Sequence, residues 1–341
     1  MATRARAPRP GEEAPALAGL DRRSFAAPGS REGRIGVVDA GSNSVRLVVF
    51  EGGSRSPGVV FNEKALCGLG AELSDTGRLS PGGAVRAMAA LRRFGAVAEH
   101  LGVATLAGVA TAAIRDAEDG PAFRDAVEAE TGIRLTVASG DDEARLAAQG
   151  VLFGDPSAHG VVADLGGASL ELGRLDRGRV AGGISLPLGP LRLARVTDVD
   201  AHVAGHLARA PGRYARAARR LYLVGGAWRA LARADIERRG YPLKVLHEYA
   251  LDAVGARALA TWAARQQPAD LAAMDGVSEN RAPGIPLTAR LLSGLLRALG
   301  PDEVVISAFG LREGVCLEAM PPARAAEDPL MAAVTAIEAE G

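Results

Sequence analysis

Two ten-residue segments of this 341-residue chain align with each other without a gap. Val38-Asp39-Ala40-Gly41-Ser42-Asn43-Ser44-Val45-Arg46-Leu47 matches Ala163-Asp164-Leu165-Gly166-Gly167-Ala168-Ser169-Leu170-Glu171-Leu172. In both, an Asp closes an apolar strand, a glycine-containing turn follows, and a Ser opens the next strand. Glycine accepts positive φ and has no Cβ, so such a turn frees backbone N–H groups for an anion. An Asp beside it can hold a divalent cation, which in turn holds phosphate. Two copies in one chain predict two similar halves facing each other across a phosphate-filled cleft.

The order of predicted elements agrees. Strands are expected at Ile35 to Val38, Val45 to Glu51 and Gly58 to Lys64. Ser80-Pro81 then caps a helix to about Leu101. Strand Thr105 to Ala110, helix Pro121 to Thr131, strand Arg134 to Ala138 and helix Asp141 to Phe153 complete a β-β-β-α-β-α-β-α series. The second half repeats it with strands at Gly160 to Ala163, Ser169 to Leu175, Arg179 to Leu186, Tyr222 to Val224 and Glu303 to Ile306. Its helices are expected at Leu191 to Arg209, Gly226 to Arg239, Leu251 to Gln266, Ile285 to Leu299 and Leu311 to Met320. The domains read as 34–154 and 155–322, the second carrying a helical insertion, preceded by a disordered tail over 1–33. An amphipathic helix over 323–341 is expected to pack back on one domain.

Composition narrows the chemistry. Forty basic residues balance 40 acidic ones. No bulk field then recruits a polyanion such as nucleic acid, and an anion site must be a local patch. Lys64 and Lys244 are the only lysines; Arg suits bidentate phosphate contacts, although a G+C-rich genome explains an Ala/Arg/Gly-rich chain more simply. Aromatic residues make up 4%, so Ala, Val and Leu must build the cores. Cys67 and Cys316 lack CxxC spacing and fit a reducing cytoplasm. Val103 to Ala113 is too short to span a bilayer, and no secretory signal opens the chain. A cytoplasmic protein is expected.

Asp39 and Asp164 are read as sharing one Mg²⁺, where either alone would be a turn cap. Seven residues on from each Asp stand Arg46 and Glu171, suited to phosphate and to a metal or water respectively, or to a solvated strand face. Ser139-Gly140-Asp141-Asp142-Glu143 opens a helix with three acids: dipole stabilisers or a general base for water. Arg115 follows the fourth strand, where an open α/β sheet faces its ligand, and is a natural phosphate clamp or a surface arginine. His202 and His206 have i,i+4 spacing but lack the Glu of HExxH, so a solvated helix face fits them better than zinc.

These pieces together resemble the exopolyphosphatase/guanosine pentaphosphate phosphohydrolase family. The likeness rests on Asp39 to Leu47, Ala110 to Arg115, Ser139 to Arg145, Asp164 to Glu171, Tyr241 to His247 and Ser307 to Gly314, in that order. It implies an α/β chain of two ribonuclease-H-like domains of the actin/Hsp70/sugar-kinase type around an interdomain cleft. It implies Glu143 as the residue activating water, and Asp39, Asp164 and Glu171 as the acids associated with Mg²⁺. Ser42, Asn43, Arg115, Gly166, Gly167 and Ser169 match phosphate-binding positions. The implied activity is Mg²⁺-dependent release of terminal phosphate from inorganic polyphosphate, with guanosine pentaphosphate as alternative substrate and a homodimer common among such proteins. Ala168 replaces a usual glycine; if that position needs positive φ, alanine costs on the order of 1 kcal/mol, which motivates a non-catalytic sensor as a competing reading. A phosphotransferase of the same superfamily is the other.

Overall fold

The computed structural model describes residues 33–340 except Pro211. Residues 1–32 of the expected tail lie outside the described residues.

Among the described residues, eleven strands form two sheets. The first comprises β1 (Arg34–Ala40), β2 (Ser44–Phe50), β3 (Val59–Leu66), β4 (Val103–Ala110) and β5 (Leu135–Val137), in the order β3-β2-β1-β4-β5. The second comprises β6 (Gly160–Leu165), β7 (Leu170–Asp176), β8 (Arg179–Leu186), β9 (Arg220–Val224), β10 (Tyr249–Asp252) and β11 (Glu303–Ser307), in the order β10-β11-β9-β6-β7-β8. Set β10 aside, and β8-β7-β6-β9-β11 reproduces the first sheet strand for strand. In each, an antiparallel three-strand meander is followed by a parallel strand on the far side of the first strand. These are two ribonuclease-H-like units.

Burial explains how they are joined. Val38, Ala40, Val45 and Leu47 turn inward beneath helices Pro81–His100 and Gly120–Thr131. The opposite face of the first sheet, with Val37, Val48 and Val109, is covered by helices Gly140–Gly154 and Leu311–Ala319. The former helix lies between the sheets. Its Leu146 and Phe153 enter the first core, while Ala147, Ala148, Val151 and Leu152 pack against Val162, Tyr222 and Val305 of the second. Two buried stripes on one helix make it the spine of the molecule.

Helix Leu311–Ala319 runs against that spine. A Cβ on Gly150 would overlap the Gly310 carbonyl, and one on Gly314 would overlap that of Leu146, so glycine permits the close approach. A domain boundary at 322 assigns this helix to the second half, but its Val315 and Cys316 complete the first core.

Three expected helices differ. The stretch Leu191 to Arg209 is two helices, Pro190–Leu193 and Val199–Leu207, because Asp198 caps the second by accepting from Ala201 N at 3.0 Å. The start of the helix expected at Leu251 is instead edge strand β10, antiparallel to β11, since Asp252 caps the helix Ala253–Ala263 at Gly255 N, 2.7 Å. The terminal helix is broken into Pro322–Ala325 and Pro329–Glu340, and Leu330, Met331, Val334 and Ile337 of the latter are exposed rather than packed back. No helix among the described residues is long and apolar enough to cross a membrane.

Candidate active site

The two aligned segments fold alike. Asp39 pairs across the β1–β2 hairpin with Arg46, and Asp164 across the β6–β7 hairpin with Glu171. Gly41 N donates to Ser44 O at 3.0 Å, and Gly166 N to Ser169 O at 3.0 Å. The segment after β3 holds the first turn from behind: Cys67 N and Gly68 N donate to Asn43 O, and Gly70 N to Ser42 O. Among the described residues, the N–H groups of Ser42, Asn43, Gly167 and Ala168 donate to no protein acceptor. Both turns line one cavity of about 460 Å³, and a Cβ on Gly167 would come to 3.9 Å from Ser42 Cβ of the opposite turn.

Gly41, Gly166 and Gly167 are absent from the positive-φ glycines, and Ala168 is likewise outside the left-handed region. Handedness therefore does not require glycine in either turn; a Cβ on Gly41 or Gly166 would meet only ordinary contacts, and one on Gly167 would come to 3.2 Å from Leu191 Cδ1. Ala168 carries no backbone strain, which removes the motive for a sensor.

Several acids line the cavity. Glu143 projects from the first turn of the spine helix and is 7% exposed. The neighbouring acids do other work: Asp142 caps the helix with Ser139, each side chain meeting the other's backbone N–H, while Asp141 is exposed. Burial raises the Glu143 pKa to about 7 against the pull of Arg115, with Asp164 and Asp39 adding to the rise. Burial also raises Asp164 to about 7, helped by Asp39 and opposed by Arg312 and Arg229. Glu171, 2% exposed, is raised to about 8 by burial and then by Glu143 and Asp164, while Ser169 and Ser185 oppose through hydrogen bonds.

Cations line the same cavity. Arg46 and Lys64, directly opposed on β2 and β3, face Arg229 and Arg281 of the second half and Arg312 of the returning helix. Burial lowers Arg229 to about 10, with Arg312 contributing. Lys64 opens onto the cavity and is still lowered to about 8, first by desolvation and then by the four arginines. Among the described residues no carboxylate pairs with it.

Two expected roles change. Arg115 is not on the cavity wall; its guanidinium donates to Glu143, to Ala138 O at 2.9 Å and to Asp116 at 3.0 Å. Its partner here is Glu143. Asp39 accepts from Arg312 Nη1 at 2.7 Å, so it is neutralised by a side chain from the far end of the chain. Among the described residues no three His, Cys, Asp or Glu side chains form a metal cage. His202 and His206 lie 4.6 Å apart by ring centroid, away from the cavity.

The model of the Ppx/GppA phosphatase family matches residues 48–323. The chain belongs to the Ppx/GppA phosphatase family. Relatives of this family member include exopolyphosphatase 1 of Mycobacterium bovis, 31% identical over 318 residues, covering 83% of this chain and 87% of that protein. Exopolyphosphatase 1 of Mycobacterium leprae is 31% identical over 316 residues, covering 83% and 88%. An exopolyphosphatase structure from Cytophaga hutchinsonii superimposes with a TM-score of 0.74 at 22% identity, over 83% of this chain and 96% of that one. The Aquifex aeolicus PPX-GPPA enzyme gives 0.72 at 24% identity, over 83% and 98%. These two structures support the shared fold. Membership makes the chain a phosphatase, an enzyme of hydrolysis, and sets the phosphotransferase reading aside.

Arg312 lies within the Ser307 to Gly314 stretch that carried part of the resemblance, but no role for it was legible there. Arg229, Arg281 and Lys64 gave no local signal, because they converge only in three dimensions.

Proposed function

We propose that this chain hydrolyses the terminal phosphate from inorganic polyphosphate. The observation that carries this reading is one cavity lined by both buried acids and clustered cations, together with two turns whose N–H groups are free. The acids press on one another and so do the cations, and a polyanion bound with a dication relieves both. No Phe, Tyr, Trp or His is among the described residues lining the cavity; that favours a bare phosphate chain over a nucleotide, whose base gains most from stacking.

Glu143 takes a proton from water, whose oxygen attacks the terminal phosphorus in line as the bridging P–O bond breaks and orthophosphate departs. A carboxylate with pKa near 7 suits a base at neutral pH. Arg115 fixes its orientation. The turn N–H groups, Ser42 and Ser169 bind phosphoryl oxygens, while Arg312 and Arg229 offset their charge.

The donors fit Mg²⁺, which takes one or two carboxylates together with substrate oxygens. Asp164 and Glu171 would hold it; Asp39, engaged by Arg312, supports from outside. When bound, Mg²⁺ supplies charge neutralisation on the phosphate oxygens.

The test is phosphate release from polyphosphates of several lengths beside guanosine pentaphosphate and ATP, with and without Mg²⁺. Glu143→Gln should lower turnover by roughly 10²- to 10⁴-fold. Unchanged release by that variant removes Glu143 as the base, and preferred release from guanosine pentaphosphate overturns the substrate assignment.

A further inference from the structure

We infer that Ser185 is a positioning residue for Glu171, and that Gly140 is glycine so that Ser185 can reach it. Ser185 lies on β8 directly across the ladder from Glu171 on β7. Its hydroxyl donates to Glu171 Oε1 at 2.8 Å. The other carboxylate oxygen, Oε2, lies toward the second phosphate turn, 4.0 Å from where a Cβ on Gly166 would stand. Ser169 also hydrogen-bonds this carboxylate, so two hydroxyls hold Glu171, Ser185 from β8 and Ser169 from the turn. A buried carboxylate otherwise rotates about its terminal torsion, which is broad and roughly two-fold.

Gly140 closes the arrangement from the opposite side. It is the first residue of the spine helix, three positions before Glu143. A Cβ there would overlap Ser185 Cβ and come to 3.0 Å from its Oγ. The φ of Gly140 is outside the left-handed region, so clearance alone calls for glycine. The first turn of the base helix and the strand hydroxyl that orients Glu171 are therefore in direct contact. Ser185 itself is exposed, so truncating it removes no core packing. Its effect should then appear in turnover rather than in folding.

This inference rests on the assignment of Glu171 to the phosphoryl-transfer site. Ser185→Ala, Gly140→Ala, the double variant and Glu143→Gln are compared on tripolyphosphate, with Mg²⁺ affinity followed by calorimetry. Groups that orient a ligand carboxylate typically change affinity or activity by about 10- to 100-fold. We expect Ser185→Ala to lower kcat by about 10-fold or more, with KM and Tm close to wild type and weaker Mg²⁺ binding; Gly140→Ala should lower kcat similarly and also lower Tm, because its Cβ overlaps that of Ser185. The double variant should lose no more than the worse single one, because both changes break one contact. Wild-type turnover in Ser185→Ala, or losses that multiply in the double variant, overturns the inference. Full turnover in Glu143→Gln instead overturns the assignment of the base and leaves the Ser185 result to be read separately.

Discussion

At the level of single residues, the acids of the cavity make the empty protein sensitive to alkali. Glu143 and Asp164 titrate near 7 and Glu171 near 8, all above the ordinary carboxylate range. Such groups favour the folded state fully below their unfolded pKa, and that contribution is lost as pH rises through 7 and 8. The Tm of metal-free protein should therefore fall between pH 5 and pH 8, and Glu171→Gln should flatten the fall; a thermal scan across that window checks it. A flat wild-type profile would show that the acids are better solvated than their burial implies. The duplicated motif made Asp39, Asp164, Glu171 and both turns legible in the sequence. What it could not show is partnership. Arg115 looked like a phosphate clamp because it follows a parallel strand, yet the carboxylate nearest its guanidinium is Glu143, 28 residues away. Arg312, 273 residues from Asp39, neutralises it without any signal in sequence spacing.

Among the elements, the spine helix is the most constrained. Ten of its fifteen residues are buried, including Glu143 and Arg145. Arg55 closes its C-terminal end, donating to Phe153 O at 3.0 Å and Leu152 O at 3.1 Å and thereby satisfying carbonyls the helix leaves unpaired. Gly150→Leu should lower stability by about 1–3 kcal/mol or more through overpacking, because the Gly310 backbone occupies the space. A urea midpoint shifted downward would record this; an unchanged midpoint would mean the two helices separate freely. The order of strands along the chain was readable from apolar runs and the turn residues between them. Breaks inside helical stretches were not. Asp198 and Asp252 look like ordinary polar residues until their side chains are seen capping the next helix. β10 was hidden because only four residues pair, and they run straight into a helix.

For the molecule as a whole, neither half owns the site. Its acids and cations come from both sheets, from the spine helix, from helices Gly226–Arg238 and Leu311–Ala319 and from the loop that holds Arg281, so a formally neutral chain concentrates opposite charges where its halves meet. The scarcity of lysine then has a practical outcome. Lys244 sits outside the cavity, held protonated chiefly by Asp275 at 2.6 Å, whereas Lys64 on the cavity wall is lowered to about 8. Neutral amine is the nucleophilic form, so a mild acylating reagent near pH 8 should modify Lys64 well ahead of Lys244, as peptide mass mapping can read. Polyphosphate should shield Lys64 and leave Lys244 untouched; equal labelling of the two would count against the lowered value. Lys64 is thereby a built-in footprint of occupancy, able to report when the cleft fills even in variants that no longer turn over.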